Sequence, residues 1–177
     1  MSAIRQWKEL EKKTIFKKYS HNIESIDFRL PDGTISDFVI DSRHGAACTL
    51  GLTPDNQVVL VKQYRPGPRQ ILDELPGGHI EKHETGVVAA RREFIEETGF
   101  DGDFESVGRC LDDAYSTLDR YCFIAKNCKK IGNPQNTSTE QTEVVLVSLD
   151  AFREILRSGR MTDVEVGYLC LDYLGLL

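Results

Sequence analysis

Residues 78–100 read GHIEKHETGVVAARREFIEETGF, and their reading decides the fold. Gly77 and Gly78 turn the backbone, Glu84 stands ahead of a helix, and Gly99 is a good C-terminal stop. From about Thr85 the apolar residues Val88, Ala89 and Ile95, with Phe94 nearby, recur at helical spacing. A glycine loop therefore feeds one helix.

On that helix Glu93 is three residues from Glu96 and four from Glu97, so the carboxylates are surface neighbours and repel one another. Glu96 and Glu97 also lie in the last turn, near the negative end of the helix dipole. Each effect costs about a few tenths of a kcal/mol, and both fall on one patch. A hard divalent cation is the simplest compensator, since Mg2+ or Mn2+ takes oxygen ligands and keeps waters for a phosphate. Arg91 and Arg92 offer partial compensation, and a Glu/Arg-rich helix is ordinarily a solvated, salt-bridged face.

The spacing of the whole stretch argues against that ordinary reading. Gly78, five residues, Glu84, seven residues, then Arg92-Glu93-Phe94-Ile95-Glu96-Glu97-Thr98-Gly99-Phe100 resembles the Nudix box with every fixed position filled. Members of the Nudix hydrolase family cleave a nucleoside diphosphate linked to another moiety. The resemblance implies an α/β fold, a Nudix α/β/α sandwich with a mixed central sheet. It also implies direct metal ligation by Glu93 and Glu97, with Glu96 as ligand or hydrogen-bond partner and the backbone carbonyl of Gly77 joining them. Glu84 approaches the same cluster, and Arg92 orients the glutamates by bidentate pairing. The expected cofactor is Mg2+ or Mn2+.

The general base has three candidates. Similar enzymes place a glutamate on the mobile loop before the late strand, which here offers Glu140 and Glu143. Glu140 is preferred because it sits farther out on the loop, where closure over substrate delivers it to a water. Glu96 is the third contender.

Outside the box the chain is most similar to ADP-ribose pyrophosphatases and nucleotide-sugar hydrolases. Leu30-Pro31-Asp32-Gly33, Gln63-Tyr64-Arg65, Glu74-Leu75-Pro76-Gly77-Gly78 and Thr162-Asp163 carry that likeness. It implies Arg65 near the diphosphate, although an arginine after a strand is more often a structural ion pair. Trp7, Phe16 and Tyr19 are candidates for base stacking, and Tyr115 resembles the tyrosine of dinucleoside polyphosphate hydrolases. ADP-ribose-specific members carry a proline some fifteen residues after the box. Here that place reads Ala114-Tyr115-Ser116-Thr117, with no proline, a departure that removes the ADP-ribose marker and leaves the pyrophosphohydrolase expectation untouched. From the rest of the likeness the expected reaction yields a nucleoside monophosphate and a phosphorylated remainder from ADP-ribose or a nucleotide sugar. Hydrolysis of nucleoside triphosphates or dinucleoside polyphosphates is the alternative, and a non-catalytic nucleotide sensor the alternative of another class.

Composition sets the outer bounds. The chain has 177 residues, 40% hydrophobic and 28% charged, enough for one domain with a real core. A net charge of -6 argues against a generic nucleic-acid or membrane-surface binder, and an anionic substrate needs local arginines or a bridging metal; the family resemblance implies a small nucleoside diphosphate derivative as the partner. No apolar run reaches membrane-spanning length, and MSAIRQWKELEKK lacks a signal peptide's apolar core, which predicts a cytoplasmic protein. Cys48, Cys110, Cys122, Cys128 and Cys170 follow no Cys-x-x-Cys spacing and read as small buried hydrophobes.

Around the box the pattern predicts strands over 14–19, 23–30 and 35–40, forming a small N-terminal antiparallel β-sheet, with residues 1–12 a short helix or an ordered arm. Strands are also expected over 46–52, 57–64, 104–111, 120–125 and 144–149. Residues 129–139 read as a mobile loop. Asp150 is expected to cap one helix, and Thr162 with Glu165 to form a capping box for the last. So small a sheet needs a covering surface. The chain is therefore divided into an arm over 1–43 and a Nudix domain over 44–177, and the family resemblance implies a homodimer through the arm.

Overall fold

The computed structural model describes residues 4–177, and the chain forms two compact units. The first takes the described residues up to His44 together with the excursion Leu111–Asp119. Its antiparallel sheet runs in the order β1 (Lys8–Lys18), β2 (His21–Arg29), β3 (Ile35–Asp41). Pro31-Asp32-Gly33 makes the turn between the last two: Gly33 N–H donates to Leu30 O, and Asp32 accepts from the Thr34 N–H. Gly33 sits at φ 90°, a conformation that suits glycine. The excursion joins this unit through Asp41, whose N–H donates to Tyr115 O at 2.9 Å and whose carbonyl accepts from Thr117 N–H at 3.0 Å. Arg43 completes the attachment, pairing with Asp41 and Asp112 at 2.8 Å each.

The second unit, Gly45–Cys110 with Arg120–Leu177, contains β4 (Ala46–Leu52), β5 (Val58–Arg65), β6 (Gln70–Glu74), β7 (Gly77–His79), α1 (Gly86–Thr98), β8 (Phe100–Leu111) and β9 (Asp119–Lys130), then β10 (Thr142–Val147), α2 (Leu149–Ser158) and α3 (Val164–Tyr173). The ends of β8 and β9 reach into the excursion. The sheet is mixed, in the order β10-β5-β4-β9-β8, with β6 on β5 and β7 on β4; the β4–β9 pair is parallel. Alternation along the strands divides the core. Cys48, Leu50, Leu52, Val58, Leu60, Cys122 and Ile124 meet Phe152 and Leu156 of α2 and Val166, Cys170 and Leu171 of α3. The intervening residues Ala47, Val59, Phe123 and Ala125 meet Ala89, Ala90, Phe94 and Phe100 on the other face. Helices thus cover both faces, the sandwich expected from the sequence, and α1 holds its carboxylates against one of them.

Several local expectations are corrected. Residues 1–3 of the expected N-terminal segment lie outside the described residues, and from Lys8 that segment is strand, exposed along its whole length. On α1, Ala89, Ala90 and Phe94 are the buried apolar residues, while Val88 is exposed and Ile95 half-buried. Ser148 rather than Asp150 caps α2, accepting from the Ala151 N–H. Asp163 occupies the N-cap of α3, and Thr162 Oγ1 is drawn instead to Glu74 at 2.9 Å. The stretch 129–139 begins in strand, since β9 continues to Lys130. All five cysteines are free thiols, four of them buried. Among the described residues no helix is long and apolar enough to cross a membrane.

Candidate active site

Two adjacent glycines bring the backbone close to α1. A Cβ on Gly78 would lie 2.5 Å from both Cδ and Oε1 of Glu93. On Gly77 it would collide with the backbone carbonyl of Ala47 in the paired strand β4. The absent side chain of Gly78 leaves the space that Glu93 occupies, and that of Gly77 lets β7 lie close against β4. Gly77 also contributes its N–H, which donates to Glu97 Oε2 at 2.8 Å.

Arg92 ties the box together. Its Nε and Nη2 pair with the two oxygens of Glu84 at 2.9 and 3.0 Å, Nη2 also donates to His79 O, and Nη1 reaches Glu93 at 2.7 Å and Glu96 at 3.3 Å. The guanidinium fork holds Glu84 below the ordinary carboxylate range. Burial does the opposite to the carboxylates facing inward. Glu93 is raised by desolvation, and Glu97, only 7% exposed, is pushed up to about 8 by desolvation that outweighs its Gly77 hydrogen bond.

These groups open on a cavity of about 240 Å³ lined by Glu93, Glu96, Glu97 and Glu140 with Gln135, Asn136, Thr137 and Thr142. The structure therefore brings Glu140 to the box glutamates, and its charge raises both Glu93 and Glu97 further. Glu143 points elsewhere. On β10 it is the exposed neighbour of buried Thr142, so the strand's alternation turns it to the opposite face, where it pairs in register with Lys62.

Arg65 forms a 2.7 Å ion pair with fully buried Glu74, and its positive charge still lowers Glu97 against the burial effect. Trp7 and Tyr115 meet in the first unit, around a cavity of about 280 Å³ lined also by Phe28, Phe38 and Ile40. Phe38 lies 5.2 Å from Trp7 between ring centres and stacks with Tyr115 at 6.5 Å. Phe16 and Tyr19 lie exposed on β1 and just beyond it, with Lys18 over the Tyr19 ring. Sequence reasoning missed Phe28 and Phe38, whose signal was the register: Ile26 faces Phe38 across the β2–β3 pair, which makes Phe28 its diagonal neighbour. It also missed Gln135, Asn136, Thr137 and Thr142, polar residues with no signature of their own.

The donor set suits a hard cation. Three glutamates of one helix converge with a fourth from a loop, all oxygen donors, and buried Glu97 is held away from its charged form by desolvation, a cost that a divalent ion removes. The side chains are not gathered into a coordination shell: among the described residues no group of three or more His, Cys, Asp or Glu has metal-holding geometry, and Arg92 Nη1 bridges Glu93 and Glu96.

The chain as a whole, a mixed sheet between helices, is similar to known proteins. Residues 42–164 match the family model described as NUDIX domain, and the chain belongs to that family. As a Nudix hydrolase it acts on pyrophosphate bonds. It is similar to a methanol dehydrogenase activator of Bacillus methanolicus, 25% identical with 97% of each chain covered. It is also similar to an ADP-ribose pyrophosphatase of Bacillus subtilis strain 168, 27% identical over 96% of this chain and 95% of that one. A solved structure described as an ADP compounds hydrolase superimposes over the full length of both chains with a TM-score of 0.80 at 18% identity, which shows the shared fold.

Proposed function

We propose that the protein is a Mg2+- or Mn2+-dependent pyrophosphohydrolase of ADP-ribose or a nucleotide sugar, releasing a nucleoside monophosphate and a phosphorylated remainder. The observation that carries this reading is the acidic pocket itself, in which buried Glu97 faces Glu93, Glu96 and Glu140. The similarity to the Bacillus subtilis ADP-ribose pyrophosphatase supports the choice of substrate.

Glu93 and Glu97, with Glu96 and the Gly77 carbonyl, are the groups that would hold the ion. When bound, the ion neutralises phosphate oxygens and lowers the pKa of water. The chain supplies the remaining functions. Arg92 fixes the glutamates, Gly77 N–H fixes one oxygen of Glu97, and Arg65 presents positive charge towards the diphosphate. Glu140 accepts the proton as water attacks phosphorus and the P–O–P bond breaks, with Glu96 the alternative acceptor. Trp7 and Tyr115 offer flat faces for the base, beside Phe28 and Phe38. The arm over 1–43 serves dimerisation, the domain over 44–177 carries the chemistry, and the homodimer works in the cytoplasm on small nucleotide derivatives.

The test is product identification across ADP-ribose, nucleotide sugars, nucleoside triphosphates and dinucleoside polyphosphates with Mg2+ or Mn2+. Nucleoside monophosphate plus a sugar phosphate, abolished by chelation and restored by either ion, is the expected result. Pyrophosphate released from triphosphates alone, or nucleotide binding with no turnover anywhere in the panel, overturns it. Light scattering that shows a monomer at micromolar concentration removes the dimer.

A further inference from the structure

The loop that carries Glu140 is a small hairpin built from side chains. Its first rung is Asn136 against Thr142: the Asn136 amide accepts from Thr142 N–H at 2.8 Å and donates to Thr142 O at 3.2 Å, so one side chain does what a paired strand would do. Its second rung is Thr137 against Glu140. Thr137 N–H donates to Glu140 O at 2.8 Å, and Thr137 Oγ1 accepts from Glu140 N–H at 3.1 Å. Only Ser138 and Thr139 lie inside that rung, on one side of Glu140.

The hairpin hangs from the end of α1. Gln135 N–H donates to Glu96 O at 2.7 Å, and Thr142 Oγ1 donates to Glu97 O at 2.9 Å. A helix leaves its last carbonyls without intrahelical partners, and here those carbonyls belong to the same residues whose carboxylates face the pocket. The loop is thereby indexed to the acidic groups through the backbone.

We infer that Asn136 and Thr137 are positioning residues that set Glu140 over the acidic pocket. This rests on Glu140 being the base. Neither residue touches the reacting atoms; Asn136 fixes where the hairpin starts, and Thr137 fixes the backbone of Glu140 itself. A misplacement of about 1 Å at a reacting group costs on the order of a hundredfold, so the effect belongs in kcat.

The experiment is a double-mutant cycle on the full chain with ADP-ribose, using Asn136→Ala, Glu140→Gln and the pair. Thr137→Val and Thr137→Ser run alongside, with thermal melts of every variant. Asn136→Ala is expected to lower kcat about tenfold to a hundredfold with KM within about threefold, and the pair is expected to be no slower than Glu140→Gln alone. Thr137→Ser keeps the acceptor and rescues what Thr137→Val loses. If Glu140→Gln is slow but the Asn136→Ala factor multiplies fully onto it, the positioning role is overturned and the base stands. If Glu140→Gln turns over at the wild-type rate, the base assignment falls and the positioning role falls with it.

Discussion

Gly78→Ala is the sharpest single perturbation of the site. Gly78 does not have a left-handed φ, so alanine brings no backbone strain of that kind. Its Cβ, however, would stand 2.5 Å from Glu93 Cδ and Oε1 and 2.8 Å from Oε2. That is about 1 Å inside the contact distance of ~3.5 Å, and the group that must give way is the end of a flexible side chain. The fold therefore tolerates the change within about 0.5 kcal/mol, while the carboxylate retreats by about 1 Å and kcat/KM falls on the order of a hundredfold. Gly77→Ala is the control one residue away. There the obstacle is the Ala47 backbone, with Cys48 Cα at 2.8 Å, so overpacking costs about 1–3 kcal/mol. At about 2–4 °C of Tm per kcal/mol for a chain of this size, its melt should fall visibly. Initial rates with ADP-ribose and thermal melts of both variants are the assay. A fully active Gly78→Ala, or one that melts as low as Gly77→Ala, refutes the idea that this glycine exists to make room for Glu93.

Arg92→Lys keeps the charge but loses the fork that spans Glu84, Glu93 and Glu96; kcat/KM should drop at least about tenfold, consistent with losing a stabilising contact of about 1.4 kcal/mol, with the melt little changed. Thr142→Val removes a buried hydroxyl donating to Glu97 O and leaves that carbonyl unsatisfied, for a loss of about 1–3 kcal/mol readable by urea unfolding. Glu105→Gln tests a pH sign. Hydrogen bonds from Lys126 first and Tyr173 second hold Glu105 below its ordinary value of 4.5, so it contributes stability above that range and loses it as pH falls through its folded-state value. The Tm gap between wild type and this variant, open at neutral pH, should close on acidification.

The box helix was legible because its spacing is fixed by the chemistry it serves, and Gly99 marks its end with φ 68° and an N–H donated to Ile95 O. The central strands were legible because Val58-Val59-Leu60-Val61 are buried on both faces. β1 was harder. An eleven-residue strand exposed on both faces carries no alternation to read, and Lys8 to Lys13 gave no sign of pairing with β2. The caps failed for a different reason: Thr162 has the right chemistry for an N-cap, but Glu74, distant in sequence, takes its hydroxyl. The same limit hid Asn136, whose partner Thr142 is fixed only by the folded loop.

Building the acidic groups on α1 has a kinetic consequence. Phe94 and Thr98 of that helix are wholly buried and Glu97 nearly so, whereas the tip around Ser138 and Thr139 is exposed. Amide protons of 93–98 should exchange with deuterium only through large-scale opening, and those at the loop tip through small local excursions. One wall of the acidic pocket is thus expected to be far better protected from exchange than the loop tip that faces it.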